Sequence, residues 1–344
     1  MFAKKLISWY QQNKRDLPWR NTRNPYKIWL SEIILQQTRV EQGLPYYQKF
    51  VSAFPTINSL AEAKEDEVLK LWQGLGYYSR ARNLHHAAKS VALTYKGVFP
   101  KIYEEVLALK GVGEYTAAAI TSFAYLQPYP VLDGNVFRVI SRIYGFHEAI
   151  DSGPGKKKFI EHLRTLIPHN DPATFNQAIM EFGAMHCLPK NPLCDNCIFN
   201  GTCYALQNNK IDLLPVKEKK LIKKNRHFYY KVSIDPKNRV LIQKRSEKDI
   251  WQGLYEFPYI ESSTAIEQPL KDLELTQKEM LYFSEPKKHL LTHQNIYFSF
   301  YIAKTEACTK EQLWVSAAQL ADYPVPKIIA DFISKKLNLY LPRK

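Results

Sequence analysis

The spacing Cys187-x6-Cys194-x2-Cys197-x5-Cys203 constrains this chain more than any other feature. Four thiols within 17 residues can enclose a metal ion or cluster, and the loop they close must pack as a unit. Tetrahedral thiolate binding suits a structural zinc ion, although zinc modules usually pair two short knuckles. Here only Cys194 and Cys197 are close, and the outer cysteines stand on longer arms. Four-thiolate iron–sulfur sites use such looser spacing. The spacing alone leaves both fillings open. With only five cysteines, four of them clustered, the chain does not read as a secreted disulfide framework. The fifth, Cys308, reads as an ordinary core or surface cysteine.

The 344 residues carry a net charge of +15, with 22 Tyr and six Trp beside the lysines and arginines. Such a surface favours a polyanionic partner, because each Lys or Arg placed on a phosphate releases a counterion. Hydrophobic residues at 45% and charged residues at 24% are globular values that exclude a disordered chain. The length allows two domains, each with its own core. No apolar run approaches the ~20 residues of a membrane span, so no membrane association is expected. The first ten residues, Met1–Tyr10, lack the apolar core of a signal peptide. Phe2, Leu6, Trp9 and Tyr10 fall instead on one face of a helix. A cytoplasmic protein is expected, nucleoid-associated if the polyanion is DNA.

Apolar positions recur at helical spacing through 27–43, 59–73, 80–95, 103–109, 115–126, 134–144, 156–167 and 173–186. Residues 1–214 therefore read as a mostly helical domain that includes the cysteine loop 187–203. The segment 215–226 is basic, and it reads either as a solvated linker or as a phosphate contact. From 227 to 344 the pattern turns to strands, at His227–Ile234, Arg239–Arg245 and Asn295–Ala303, with helices expected at 274–282 and 326–337. The second domain is thus α+β.

Two further motifs sit in the helical part. Leu109-Lys110-Gly111-Val112-Gly113 lies between two helical stretches. Gly111 and Gly113 permit a tight turn and close backbone approach, and the N–H groups opening the next helix face an anion. About twenty residues on, Leu132-Asp133-Gly134-Asn135-Val136-x-Arg138-Val139 begins another helix. There Asp133 reads as a helix cap, which an Asp at a helix start is more often than a catalyst.

The cysteine spacing resembles the [4Fe–4S] loop of the endonuclease III superfamily of DNA glycosylases. The glycine turn resembles that superfamily's helix–hairpin–helix, and the Asp133 segment its defining aspartate motif. Leu17-Pro18-Trp19-Arg20, Trp29-Leu30-Ser31-Glu32-Ile33-Ile34-Leu35-Gln36-Gln37-Thr38-Arg39-Val40 and Gly74-Leu75-Gly76-Tyr77-Tyr78-Ser79-Arg80 narrow the likeness to the MutY family of adenine DNA glycosylases. Together these motifs span essentially all of residues 1–225. Val240-Leu241-Ile242-x-Lys244-Arg245 and Trp251-Gln252-Gly253-Leu254-Tyr255-Glu256-Phe257-Pro258 resemble that family's Nudix-like domain. The Glu-rich helix that binds catalytic magnesium is missing, which implies recognition without hydrolysis.

The resemblance implies a [4Fe–4S] cofactor on Cys187, Cys194, Cys197 and Cys203. Its partner is double-stranded DNA with adenine opposite 8-oxoguanine or guanine, bound by a monomer. Breaking an N-glycosidic bond needs a proton at the base and an anion near the sugar. Glu32 lies on an otherwise apolar helix, where burial raises its pKa. By resemblance it protonates adenine N7, and an ionised Asp133 stabilises the oxocarbenium ion. Tyr115 and Asn135 support that transition state, and Arg20 lies in the adenine pocket. Tyr115 stands where bifunctional relatives carry a lysine, which implies a monofunctional enzyme. Gln37 and Tyr77 insert beside the lesion pair, while Tyr78 reads as core. Lys190 is a candidate phosphate contact. The family's Phe-Ser-His lesion loop becomes Leu291-Thr292-His293 here, keeping a hydroxyl and the histidine but losing the aromatic ring. Competing readings are a sister glycosylase, for thymine in G·T pairs or for oxidised pyrimidines, and a non-enzymatic redox-sensing DNA-binding module.

Overall fold

The computed structural model describes residues 1–218, 222–306, 309 and 311–341. Cys308 and, within the basic segment, Lys219 and Lys220 lie outside the described residues. The chain divides into two compact units, Met1–Glu62 with Asn83–Lys219 and Ala63–Arg82 with Lys220–Lys344. Among the described residues no helix is long and apolar enough to cross a membrane.

Helices follow one another through the first 207 residues: α1 (Phe2–Asn13), α2 (Pro25–Leu35), α3 (Val40–Ala53), α4 (Ile57–Glu62), α5 (Glu65–Trp72) and α6 (Ser79–Thr94). They continue with α7 (Tyr103–Leu107), α8 (Glu114–Tyr125), α9 (Gly134–Tyr144), α10 (Gly153–Leu166), α11 (Pro172–Met185) and α12 (Tyr204–Gln207). Each helical stretch expected within these 207 residues is present, but two are split. The 27–43 stretch breaks at a turn in which Gln37 has φ 53°, and the 59–73 stretch breaks between Glu62 and Glu65. Side chains fix several helix starts. Asn24 accepts the Lys27 N–H at 3.2 Å, Ser152 that of Gly155 at 3.0 Å and Asp171 that of Thr174 at 3.3 Å. Each such cap satisfies an otherwise orphaned donor and stabilises its helix by roughly 1 kcal/mol.

In the first unit α2 is apolar nearly all round, with Ile28, Trp29, Leu30, Ile33 and Ile34 buried. A helix with that pattern belongs in the middle of a core, and α2 packs against α3 and α8. The buried amide of Asn176 on α11 accepts the Val131 N–H at 3.1 Å and donates to Ser122 Oγ at 2.9 Å and the Tyr129 carbonyl at 2.8 Å. Those bonds fix the extended approach to Asp133.

In the second unit the strands are β1 (Lys224–Ile234), β2 (Val240–Lys244), β3 (Tyr255–Glu256), β4 (Tyr259–Ser262), β5 (Met280–Phe283), β6 (Lys287–Leu290), β7 (Gln294–Lys304) and β8 (Leu313–Val315). They form one mixed sheet of order β3-β2-β1-β7-β5, with β4 on β1, β6 on β7 and β8 on β2. The parallel β1–β7 ladder runs from Lys224↔Gln294 to Ile234↔Lys304. That pairing starts β1 three residues before the expected His227 and takes Lys224–Arg226 out of the basic segment. Arg226 is neither solvated nor free for phosphate, because it pairs with Asp249 and Glu261, each at 2.6 Å.

The short helices α13 (Pro269–Asp272) and α14 (Ala317–Leu320) and the longer α15 (Lys327–Lys335) complete the unit. The expected 326–337 helix is α15. The expected helix at 274–282 does not form, and Met280 and Tyr282 pair instead with Ala303 and Ile302 of β7. Strand alternation wins there because Met280 packs on the buried Tyr229, Leu273 and Tyr301, whereas a helix would leave β7 without that partner.

Candidate active site

Glu32 sits near the end of α2, 7% exposed. The Tyr115 hydroxyl, from the first turn of α8, donates to Glu32 Oε2 at 2.9 Å. Asp133 caps α9: its Oδ1 accepts the Val136 N–H at 2.8 Å and its Oδ2 accepts Asn135 Nδ2 at 2.7 Å. Asn135 is itself held by Arg138 Nη2 at 2.9 Å, and Arg138 Nε reaches the Cys187 carbonyl at 2.7 Å. Glu32, Tyr115, Asp133, Asn135 and Arg20 line one cleft of about 480 Å³.

Burial pushes the Glu32 carboxyl up to about 7, and the Asp133 charge adds to that; the Tyr115 hydroxyl and Arg20 oppose it. The acid is therefore substantially protonated near neutrality. Burial also holds Tyr115 well above its usual range, so it stays a donor. Asp133 is half-buried, open on one side to the cleft. Burial raises its pKa, and the Val136 and Asn135 donors and Arg138 pull against that rise. Enclosure by protein is the larger influence.

Arg20 lines the cleft but is already committed. Its two terminal nitrogens bond Glu181 at 2.8 and 2.7 Å, and Arg15 grips the same carboxylate at 2.9 and 2.6 Å. The two guanidinium groups hold Glu181 at about 2 despite its burial.

At the hairpin, Gly111 has φ 81°, and a Cβ there would lie 2.7 Å from Asn83 Cβ, so the turn needs glycine. A Cβ on Gly113 would meet nothing within 4 Å. Glycine there leaves open space before the first N–H groups of α8, which no side chain caps.

The four cysteines, none in a disulfide, line one pocket together with Arg142, Phe182 and His186. Arg142 Nη1 donates to Cys187 Sγ at 3.6 Å and the Phe199 N–H to Cys197 Sγ at 3.4 Å. Burial raises the Cys187 and Cys194 thiols and takes Cys197 to about 11. Thiols so placed ionise only with positive charge among them. Among the described residues no three His, Cys, Asp or Glu side chains are drawn closely enough together to hold a metal ion as they stand.

Residues 30–169 match the HhH-GPD superfamily base excision DNA repair protein family, and residues 229–335 match the NUDIX domain. Over 302 residues the chain is 35% identical to an adenine DNA glycosylase of Buchnera aphidicola subsp. Baizongia pistaciae, covering 87% of this chain and 85% of the relative. The chain belongs to the adenine DNA glycosylases. A thermostable thymine-DNA glycosylase structure is 29% identical with a TM-score of 0.55, covering 60% of this chain and 95% of its own. A non-covalent endonuclease III–DNA complex, 21% identical, has a TM-score of 0.53 and covers 60% and 94%; it shares the fold. As an adenine DNA glycosylase this is a DNA N-glycosylase of base excision repair, and DNA is its partner.

Gln37 and Lys190 of this glycosylase do not line the cleft, whereas Thr38, Arg39 and Val40, beside Gln37 in the same motif, do. Gln37 is exposed just past the C-cap of α2, in the left-handed region, a conformation that costs a non-glycine residue energy. Tyr77, 37% exposed, is also left-handed at φ 48°. Within the second unit its hydroxyl hydrogen-bonds that of Thr292, bringing together two residues far apart in sequence. Leu291 is half-buried, while Thr292 and His293 are exposed in the turn from β6 to β7. Tyr78 is buried, as read. Lys190 is exposed within the cysteine loop.

Sequence reasoning missed Glu181 and Arg142. Glu181 had the same signal as Glu32, an acid inside the apolar run Ala178-Ile179-Met180-Glu181-Phe182. Arg142, four residues after Arg138, is fully buried and ties the carbonyls of Leu188, Pro189, Ile211 and Leu214 together.

Proposed function

We propose that this enzyme removes adenine paired with 8-oxoguanine or guanine, as a monofunctional glycosylase that leaves an abasic site. The observation that carries this reading is Glu32, a buried acid held by Tyr115 and open to a cleft that Asp133 also lines. With the flipped nucleotide in the cleft, protonated Glu32 gives its proton to adenine N7. The C1′–N9 bond then breaks, and adenine leaves neutral. Asp133 faces the oxocarbenium ion, with Asn135 orienting its carboxylate. Glu32, now ionised, takes a proton from the water that adds to C1′. Tyr115 offers no amine for a Schiff base.

Residues 1–214 carry the chemistry and residues 227–344 read the lesion, joined through 215–226. Grouping of Ala63–Arg82 with the second unit, and the Tyr77–Thr292 hydrogen bond, support a shared reading surface of Tyr77, Leu291, Thr292 and His293. Gln37 wedges the duplex, and Gly111, Gly113 and Lys190 meet its backbone. Arg20, held by Glu181, borders the adenine. One chain bears both sets of residues, which supports action as a monomer, in the cytoplasm where DNA is.

Cys187, Cys194, Cys197 and Cys203 would hold a [4Fe–4S] cluster. Four unpaired thiols in one apolar pocket, two of them receiving N–H donors, suit thiolate ligands. Such a cluster supplies iron–thiolate links that fix the loop and a one-electron couple.

Single-turnover excision from duplexes with A opposite 8-oxoguanine, G or T, with and without alkali, tests the reading. Alkali-dependent cleavage is expected opposite 8-oxoguanine, weaker opposite G and absent opposite T. Release of thymine rather than adenine, or nicking without alkali that borohydride traps, would replace it with a sister activity.

A further inference from the structure

The turn that carries Tyr77 is built on a buried cation. Gly76 and Tyr77 are left-handed in succession, at φ 76° and 48°, a backbone that persists only where its surroundings hold it. Trp72 Nε1 and Arg80 Nη2 both donate to the Gly76 carbonyl, at 3.0 and 3.2 Å. The Gly74 N–H meets the Tyr78 hydroxyl at 3.2 Å, and the Arg80 N–H meets the Tyr77 carbonyl at 2.9 Å. The Arg80 guanidinium carbon lies 5.1 Å from the Trp72 ring centre and 5.6 Å from that of Tyr77. Trp72 is fully buried and Arg80 is 8% exposed, whereas Tyr77 presents 37% of its surface.

Neither the helix nor the core accounts for an arginine here. Arg80 stands in the first turn of α6, the positive end of the helix dipole, where a cation is disfavoured. Burial draws the guanidinium down to about 10, against the pull of Tyr77, and the group keeps its charge near neutrality. An uncharged side chain of similar length would fill the slot without either cost. What the guanidinium adds is a flat cation against the Tyr77 ring and a donor to the carbonyl just before it. A side chain that parts stacked bases works against their stacking, so a ring free to swing would lose what insertion requires.

We propose that Arg80 is a positioning residue for lesion recognition, holding the Tyr77 ring in the attitude in which it stacks beside the 8-oxoguanine pair. This rests on the reading of Tyr77 above, as a side chain inserted beside that pair. Thr292 holds the hydroxyl end of the tyrosine, and Arg80 holds its ring and its backbone. Arg80 acts through the tyrosine and takes no part in the bond breaking.

The test uses the full-length protein and single-turnover excision of A opposite 8-oxoguanine, with 2-aminopurine next to the 8-oxoguanine reporting base unstacking by its fluorescence. Arg80→Met, which fills the slot without charge, should slow excision and unstacking by roughly three- to thirty-fold, the scale of a desolvated cation–π contact. Arg80→Lys should fall between Arg80→Met and wild type. Tyr77→Leu should slow both steps at least as much as Arg80→Met. Arg80→Met added to Tyr77→Leu should change them little further, because the two side chains act as one unit. Wild-type rates in Arg80→Met, or fully additive losses in the double variant, would overturn the inference and leave the role of Tyr77 standing. Wild-type unstacking in Tyr77→Leu would overturn that role and the inference with it. Should Arg80→Met fail to fold, Arg80→Gln, with a donor for Gly76 but no charge, carries the same cycle.

Discussion

Glu32 in the helical unit and Glu256 in the sheet unit are both buried glutamates whose carboxyls burial pushes up to about 7. Their surroundings differ. Arg245 Nη1 lies 3.0 and 3.1 Å from the two oxygens of Glu256, and it also donates to the Tyr259 hydroxyl at 2.6 Å. The other end of that guanidinium reaches Asp249 at 2.8 Å, so the cluster is closed on itself. Glu32 meets a single neutral donor, Tyr115, and a cleft; Arg20, the cation that acts on it, is held bidentate by Glu181. The first arrangement joins the end of β2 to β3. The second leaves a proton that can be given away. A raised pKa nominates a residue, and access without a fixed counter-charge separates a chemical group from a structural one.

The largest effect should come from Glu32→Gln. Single-turnover adenine excision is expected to fall by about 10²–10⁴-fold, the usual worth of a general acid, while affinity for A·8-oxoguanine duplex is kept. Excision near the wild-type rate would erase the contrast. Glu256→Gln should do the reverse. Leaving Arg245 buried with half its charge unmatched is expected to cost about 3–5 kcal/mol in a denaturant titration, with excision per folded molecule unchanged. Next, Asp133→Asn should slow excision by about 10²–10³-fold, as losing one electrostatic stabiliser does. Its melting temperature should hold, because Asn caps a helix as well as Asp; a large drop in melting temperature would recast Asp133 as chiefly structural.

How far the sequence could be read followed from how local each signal was. The cysteine spacing, the Leu109–Gly113 turn and the Asp133 cap are short-range patterns, and the residues sit where those patterns put them. The Glu32–Tyr115 bond joins residues on α2 and α8, and from sequence it was reachable only through resemblance. Glu181 was legible in principle as an acid in an apolar run, but its two arginine partners lie more than 150 positions upstream. The 274–282 segment misled because its helical spacing is genuine while its partner, β7, is distant in sequence. The Tyr77–Thr292 hydrogen bond had no sequence signal at all, since neither residue's neighbours point to the other.

The smallest effect concerns lesion reading. Leu291→Phe, restoring an aromatic ring in the turn between β6 and β7, should raise the preference for A·8-oxoguanine over A·G by roughly ten-fold or less, the scale of 0.5–1.5 kcal/mol for an aromatic contact. An unchanged ratio would mean that Thr292 and His293 carry the discrimination.

The most direct measurement is the pH dependence of adenine excision at sub-saturating enzyme, which reports the groups of the free protein. Glu32 must carry its proton to act, so activity should be level below about 7 and fall as the pH rises through that value. Glu256→Gln should follow the same curve, and the residual activity of Glu32→Gln should lose the fall. A decline near neutrality that survives in Glu32→Gln, or disappears in Glu256→Gln, would contradict the assignment of Glu32 as the acid.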